Sequence, residues 1–347
     1  MKKLVSFMLV MVLALSMSIG AFANGTDGGS TYTDKDSVTI TKTYNETNDG
    51  STSPAETFQF TIEAISVEDA ADGVNEGNMP MPTVGSVAYA EGDAGSNDAQ
   101  KTITITLPEY TSVGVYTYTI KETASETAGV VSHGDDITLV VTVLQGENGL
   151  IRVPAVHTET PDGEKSDDIS NEYQAGQLSV TKQVTGNMGD RSKEFTVTVT
   201  FNAPKDKTVQ STITYTDINS TGTVNGSITP DKWNDNGVAT ATITLKHGET
   251  VTFNNIPYGV SYTVAENDYT DEAEGGYDAA TYTVNGETGN SGSVDTAKDA
   301  VTVTNNKANG NIDTGIFLDN MPYIVMLVVV IAAFTAFVMK KRHSVED

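Results

Sequence analysis

The sequence contains no cysteine, which excludes disulfide bridges as a means of stabilising an exported chain. Its four histidines, His133, His157, His247 and His343, lack the spacing of metal-ligand pairs. Lysine and arginine total 20 against 46 aspartates and glutamates, so the formal net charge is −26. Such an acidic chain, with no basic stripe, disfavours nucleic acid as a partner.

Two short stretches resemble functional sequences only in composition. Residues 132–135 read Ser-His-Gly-Asp, but the members of a catalytic triad come from separated segments. The acidic segment 267–278 offers oxygen ligands for Ca²⁺ but lacks the EF-hand pattern. Since Gly-x-Ser-x-Gly and phosphate-loop motifs are also absent, we predict no turnover enzyme, no cofactor and no metal site.

Long apolar runs stand at the two ends of the chain. Residues 1–23 have a basic start, an apolar centre and an Ala-Phe-Ala ending, which predicts a secretory signal peptide cleaved after Ala23. Residues 320–339 carry no charge and would span about 30 Å as a helix, roughly one bilayer core. The basic tail 340–347 then places the C-terminus in the cytoplasm. We therefore predict a secreted chain held by a C-terminal transmembrane helix before sorting.

Between these ends the sequence is typical of an all-β protein. Residues 24–36 are rich in Gly, Thr and Asp, and we predict a flexible mature N-terminus there. After them, Val, Ile, Thr and Tyr alternate with polar residues between Gly, Asn and Asp turn clusters, without a helical period before residue 320. This pattern favours a β-sandwich or a small barrel built from short strands.

The strand pattern occurs twice. SVTITKTYNET at 37–47 corresponds to QLSVTKQVTGN at 177–187, and similar pairs end each unit. We therefore predict two tandem β-sandwich domains, 37–174 and 177–308, each large enough for its own core. The joint of three residues between them favours a semi-rigid rod.

Each predicted domain places a lysine, a glutamate and an asparagine in phase with apolar strand neighbours. The sets are Lys42, Glu122 and Asn171 in the first domain and Lys182, Glu266 and Asn305 in the second. Asn306 is the alternative to Asn305, although strand parity favours Asn305. A lone charge in a core costs several kcal/mol, and a lysine–glutamate pair alone leaves the asparagine unexplained.

One reaction uses all three residue types. Burial lowers the pKa of a lysine and raises that of a glutamate, so a neutral amine beside a neutral acid becomes accessible. The amine can attack the asparagine carbonyl while the protonated glutamate hydrogen-bonds to its oxygen and moves protons. Ammonia leaves, and an intramolecular isopeptide bond remains in a reaction that occurs once per site.

Residues 245–268, LKHGETVTFNNIPYGVSYTVAEND, carry a family resemblance. Their Gly-Glu turn, Asn-x-Pro-x-Gly corner and Tyr-x-Val-x-Glu strand resemble the collagen-adhesin B-type immunoglobulin-like domains of Gram-positive surface proteins. The chain over 37–347 resembles the streptococcal pilin isopeptide-linkage family, the T-antigen-type backbone pilins. The resemblance implies Lys–Asn bonds with an assisting glutamate, namely Lys42–Asn171 with Glu122 and Lys182–Asn305 with Glu266.

The C-terminal region 309–347 resembles a sortase sorting signal. NIDTG at 311–315 precedes the apolar span, so a sortase would cut between Thr314 and Gly315 and transfer the Thr314 carbonyl to an amine. Asn and Ile replace the first two residues of the common Leu-Pro-x-Thr-Gly motif, a departure compatible with a dedicated pilus sortase. An uncleaved membrane anchor is the alternative.

The amine that accepts Thr314 in a pilus shaft is a lysine of the next subunit. The Tyr-Pro-Lys motif of many backbone pilins is absent, and the resemblance points instead to Lys165 in the polar loop TPDGEKSDD. Lys35, Lys101 and Lys205 remain alternatives.

These features predict a cell-wall-anchored structural protein, most simply the backbone subunit of a sortase-assembled pilus. Its partners would be a sortase, neighbouring subunits linked from Thr314 to a lysine, and peptidoglycan, whereas the sequence identifies no host ligand. The alternative is a monomeric cell-wall-anchored adhesin, or a minor pilin at the tip or base.

Overall fold

A computed structural model of the chain describes residues 32–48, 50–159, 165–166, 168–219, 222–308 and 326. The predicted signal peptide, the sorting motif with Thr314 and Gly315, and all of the apolar span except Met326 lie outside these residues. Among the described residues, no helix has the length and apolar character needed to cross a membrane.

In the described part of the first unit there are twelve strands. They are β1 (Ser37–Glu46), β2 (Glu56–Phe58), β3 (Phe60–Glu68), β4 (Thr83–Val84), β5 (Val87–Tyr89), β6 (Gln100–Thr106), β7 (Gly114–Glu122), β8 (Val130–Val131), β9 (Ile137–Gly146), β10 (Gly149–Glu159), β11 (Lys165–Ser166) and β12 (Asp168–Tyr173). Two five-stranded sheets, in the orders β4-β6-β1-β12-β8 and β11-β10-β9-β7-β3, enclose one apolar core, and β2 pairs with β5.

The second unit has eleven strands and one short 3-10 helix, Pro230–Lys232. The strands are β13 (Ala175–Thr185), β14 (Phe195–Asn202), β15 (Ile213–Asn219), β16 (Gly222–Ile228), β17 (Val238–Leu245), β18 (Thr250–Pro257), β19 (Ser261–Glu266), β20 (Thr281–Val284), β21 (Glu287–Thr288), β22 (Ser291–Ser293) and β23 (Lys298–Asn306). A seven-stranded sheet, β16-β15-β18-β13-β23-β20-β21, packs on the four-stranded sheet β17-β14-β19-β22.

The alternation of residue types explains these layers. In β14, Phe195, Val197, Val199 and Phe201 are buried, while the threonines between them are partly exposed. Successive strand residues point to opposite faces, so this pattern buries one face and hydrates the other. The all-β class predicted from the sequence is therefore confirmed.

In each unit the first strand lies beside the last strand, and the two are parallel. β1 pairs with β12, and β13 pairs with β23. The remaining β1 and β13 edges pair antiparallel with β6 and β18 respectively. This arrangement brings residues far apart in sequence onto adjacent central strands, which is the condition that a first-to-last crosslink requires.

The junction between the units is held by side-chain hydrogen bonds. Asn255 donates from Nδ2 to the Thr52 carbonyl at 3.0 Å, and its Oδ1 accepts from the Thr52 backbone N–H at 3.1 Å. Asn48 Nδ2 donates to the Ala175 carbonyl at 2.7 Å and to the Tyr258 hydroxyl at 2.8 Å. Because both donors and acceptors bridge the joint, bending there breaks several hydrogen bonds together.

Candidate isopeptide-forming sites

The first unit brings Lys42, Glu122 and Asn171 together. Lys42 lies opposite Ile169 in the β1–β12 ladder, and Asn171 lies two residues further along on the same face. The Lys42 Nζ contacts Asn171 Oδ1 and lies 2.5 Å from Glu122 Oε2. Asn171 Nδ2 donates to Glu122 Oε1 at 2.5 Å. The side chains of Lys42 and Glu122 are fully buried, so water does not screen this cluster.

The second unit repeats the arrangement with Lys182, Glu266 and Asn305. The Lys182 Nζ contacts Asn305 Oδ1 and lies 3.0 Å from Glu266 Oε1, and the side chains of Lys182 and Glu266 are fully buried.

The register is the same in both units. Lys42 lies opposite Ile169 and Lys182 opposite Val303, and in each case the asparagine follows that partner by two residues. Each glutamate comes from the facing sheet, Glu122 at the end of β7 and Glu266 at the end of β19. The lysine and asparagine thus belong to one sheet, and the acid approaches them across the core.

Aromatic rings shield both amines from solvent. The Lys42 Nζ lies 4.8 Å from the ring centroid of Phe58, and the Lys182 Nζ lies 4.2 Å from that of Phe195. Sequence reasoning did not assign these rings to the sites, although both rings stand at buried positions of alternating segments. A π face attracts an ammonium ion but also excludes water, so it favours a buried amine held close to its partners.

Burial changes the proton affinities in the direction that nucleophilic attack requires. It lowers the pKa of Lys42 to about 8, against the opposing charge of Glu122. Burial likewise lowers the pKa of Lys182 and raises the pKa of Glu266. A neutral amine beside a neutral carboxylic acid is therefore more accessible here than in water.

The hydrogen bonds of the first site differ from expectation in one respect. The expected contact is between the glutamate and the asparagine oxygen, but Glu122 Oε1 accepts from the Asn171 nitrogen. The Asn171 oxygen instead accepts from the backbone N–H of His133 at 2.8 Å. Glu122 thus bridges the attacking amine and the leaving nitrogen, a position suited to passing a proton between them.

The alternatives for the second asparagine occupy different environments. Asn305 is 1% exposed and faces Lys182, whereas Asn306 donates to Asp278 and accepts from the Thr185 hydroxyl on the other face. Asn305 is therefore the residue that the fold presents to the amine.

The candidate acceptor lysines are dispersed over the first unit and the start of the second. Lys165 was placed in a loop by the sequence analysis, but its backbone pairs with Glu159 in the two-residue edge strand β11. Lys101 donates to Asp93 at 2.7 Å, and the Lys205 side chain is 92% exposed. In the described ranges, no group of three or more acidic or histidine side chains is arranged to hold a metal ion.

Comparisons with known proteins agree with this arrangement. Residues 38–174 match the family described as Spy0128-like isopeptide containing domain, and residues 176–307 match a domain of unknown function (DUF7601). A pilin of Streptococcus pyogenes serotype M1 is 28% identical over 351 residues, covering 95% of this chain and 98% of its own.

Two solved structures have the same fold. The major pilin from Streptococcus pyogenes is 25% identical with a TM-score of 0.51, over 80% of this chain and 100% of its own. The major pilin T3.2 from Streptococcus pyogenes is 19% identical with a TM-score of 0.54, over 79% and 99%. With two buried Lys–Glu–Asn clusters on such a fold, residues 38–174 are similar to the Spy0128-like isopeptide containing domain, and the chain as a whole is similar to streptococcal pilins.

Proposed function

We propose that this protein is the backbone subunit of a sortase-assembled pilus on the cell wall, rigidified by two self-formed isopeptide bonds, Lys42–Asn171 and Lys182–Asn305. The observation that carries the proposal is the repeated cluster, with the same register and the same facing glutamate in both units. A single buried pair has many structural explanations, whereas two equivalent sites across parallel first and last strands fit a load-bearing subunit.

The reaction balances within each cluster. In the first unit, the proton that Lys42 shares with Glu122 moves to the carboxylate, which leaves a neutral amine beside Asn171. The amine attacks Cγ, Glu122 delivers a proton to the leaving nitrogen, and ammonia departs. The Glu122 carboxylate then accepts the remaining extra proton of the attacking nitrogen, which leaves a neutral amide and a protonated Glu122. The fixed geometry replaces a bimolecular encounter, and effective molarities of this kind reach about 10⁵–10⁸ M.

Polymerisation would join Thr314 of one subunit to a lysine of the next. We propose Lys165 as the acceptor, because among the described strands its strand β11 is the outermost of its sheet, and the backbone of an outermost strand can pair with an incoming chain. Peptidoglycan attachment of the finished polymer would use the same Thr314 carbonyl.

The first test is the intact mass of residues 24–314, purified and measured under denaturing conditions. We expect a deficit of two ammonia molecules, reduced to one by Lys42→Ala or by Lys182→Ala. If the parent chain has the full mass calculated from its sequence, neither isopeptide bond forms and both clusters are buried ion pairs. That result would refute the proposed load-bearing function.

A second test separates a backbone pilin from a monomeric adhesin or a minor pilin. Co-expression with the pilus sortase should give a ladder of SDS-resistant polymers that Lys165→Ala abolishes. Lys35→Ala, Lys101→Ala and Lys205→Ala serve as matched controls and should leave the ladder intact. One band from the parent chain would favour the adhesin, and a ladder lost with a control lysine would move the acceptor there.

A further inference from the structure

The backbone amide of His133 meets the reacting carbonyl of the first site. Its N–H donates to Asn171 Oδ1 at 2.8 Å. β8, which ends two residues before His133, pairs antiparallel with β12, and Val131 lies opposite Glu172. Because β8 is hydrogen-bonded to the strand that carries Asn171, the ladder itself aims this N–H at the asparagine side chain.

We propose that the His133 N–H is an oxyanion donor for the formation of the Lys42–Asn171 bond. This inference rests on the proposed isopeptide chemistry and adds a catalytic group to it. When Nζ of Lys42 attacks Cγ, the carbonyl electron pair moves to Oδ1, where the N–H already points. The electron pair returns as the C–N bond breaks, the leaving nitrogen takes its proton from Glu122, and the Glu122 carboxylate then accepts the extra proton of the attacking nitrogen. A donor aimed at the developing charge needs no reorganisation during the reaction.

Two contacts fix which end of the Asn171 amide faces which partner. The His133 N–H is a donor and requires the oxygen, while Glu122 Oε1 receives the amide nitrogen at 2.5 Å. A flipped amide would set two donors against each other and an oxygen against the carboxylate. The His133 amide therefore also orients the electrophile, which holds Cγ open to the lysine.

The histidine ring has no comparable contact with the reacting groups. Its Nε2 is buried without a hydrogen-bond partner among the described residues. Burial, and then the charge of Lys42, lower the pKa of this imidazole, which keeps the ring neutral. Because the proposed donor is the backbone, His133→Ala retains it, and that variant is a matched control.

The second site lacks this feature in the part of the chain that the structure describes. Asn305 Oδ1 is contacted by the Lys182 Nζ, and no backbone N–H donates to it there. The two sites therefore share a nucleophile, an acid and an electrophile but differ in the group that receives the negative charge. Removing the His133 N–H should slow the formation of the Lys42–Asn171 bond and leave the formation of the Lys182–Asn305 bond unchanged.

The test replaces one atom in the full chain. Cell-free synthesis with a suppressor tRNA carrying the α-hydroxy analogue of histidine exchanges the N–H of residue 133 for an ester oxygen. In a Lys182→Ala background, mass spectrometry then follows the loss of one ammonia with time. We expect the ester to slow this loss by about 10²–10³-fold, the usual cost of one oxyanion donor, and His133→Ala to stay within about threefold of the parent. An ester chain that reacts as fast as His133→Ala would overturn the inference.

Two further measurements separate other causes of a slow reaction. In a Lys42→Ala background, the ester should leave the rate of the second bond unchanged. If the ester chain misfolds, infrared spectra of Lys42→Met, Lys182→Met double-variant chains, in which neither bond forms, ¹³C-labelled at one asparagine carbonyl, decide the question. The Asn171 stretch should lie below that of Asn305, and equal frequencies would refute the donor. A parent chain that loses no ammonia would instead refute the proposed function.

Discussion

The Lys182–Asn305 bond should account for a large part of the stability of the second unit. Asn305→Ala removes the electrophile and leaves Lys182 and Glu266 in place, so the crosslink cannot form. The adjacent Asn306→Ala is the matched control, because Asn306 loses only its hydrogen bonds with Asp278 and Thr185. Both substitutions shorten an asparagine at the end of β23, and only one of them abolishes a covalent bond.

The magnitude follows from the length of the closed loop. Lys182 and Asn305 are separated by 123 residues, and the chain-entropy relation for crosslinks gives about 5 kcal/mol for a loop of that length. A domain of this size changes its Tm by roughly 3–5 °C per kcal/mol, so Asn305→Ala should lower the Tm by about 15–25 °C. Asn306→Ala removes exposed hydrogen bonds and should cost about 1 kcal/mol.

Differential scanning calorimetry of residues 24–314 measures both values, with intact mass establishing the bond count of each sample. The transition of the second unit should move strongly in Asn305→Ala while that of the first unit stays in place. If the mass of Asn305→Ala shows the loss of only one ammonia molecule, but this variant melts within about 5 °C of Asn306→Ala, the loop-closure reasoning is wrong for this protein.

Three further predictions concern proton binding and mechanical load. In Asn171→Ala the free Lys42 has a pKa of about 8 in the fold against 10.5 when unfolded, so unfolding takes up a proton between these values. The free energy of unfolding, measured in urea for Asn171→Ala relative to the crosslinked parent, should therefore increase as the pH rises from 8 to 10. If the difference in unfolding free energy between the two chains does not change with pH, the Lys42 amine is not buried as described. Hydrogen bonds from Arg152 lower the pKa of Asp34 to about 2 from 3.8, so this carboxylate contributes stability that is present above pH 3.8 and lost as the pH falls through about 2. The Tm deficit of Asp34→Asn should then be constant near neutral pH and vanish near pH 2, and a deficit that persists there would contradict the ion pair. In single-molecule pulling from both ends, residues 183–304 should contribute no extension, and a full-length extension of the second unit would show that its bond is absent.

Much of the fold and of both clusters could be predicted because strand parity is a local property. The alternation around Lys42 and Lys182 places each lysine on the apolar face, and the same parity separates Asn305 from Asn306. Burial of a charged residue in phase with apolar neighbours is costly without a partner, so the sequence also signals that a partner exists. These inferences need no knowledge of which strands pair.

The remaining features depend on strand pairing and on loops, which carry no periodic signal. The contact between the His133 N–H and Asn171 requires β8 to lie beside β12, and 38 residues separate the two groups. Predicting the backbone pairing of Lys165 likewise required knowing that β11 returns along β10. The expectation that the glutamate binds the carbonyl oxygen was wrong for the hydrogen bonds of the first site, because a backbone donor already occupies that oxygen.

Parallel pairing of first and last strands explains where a covalent bond is most useful. The chain enters the second unit at the start of β13 and leaves it at the end of β23, and these points lie at opposite ends of one parallel pair. Tension along the chain therefore pulls the two strands past each other and loads their ladder in shear. The proposed bond from Lys182 to Asn305 would carry that load from one strand to the other before the ladder is strained. The same bond placed between antiparallel neighbours such as β13 and β18 would leave β23 free to slide, so the cluster lies where a subunit pulled along its chain would need the bond.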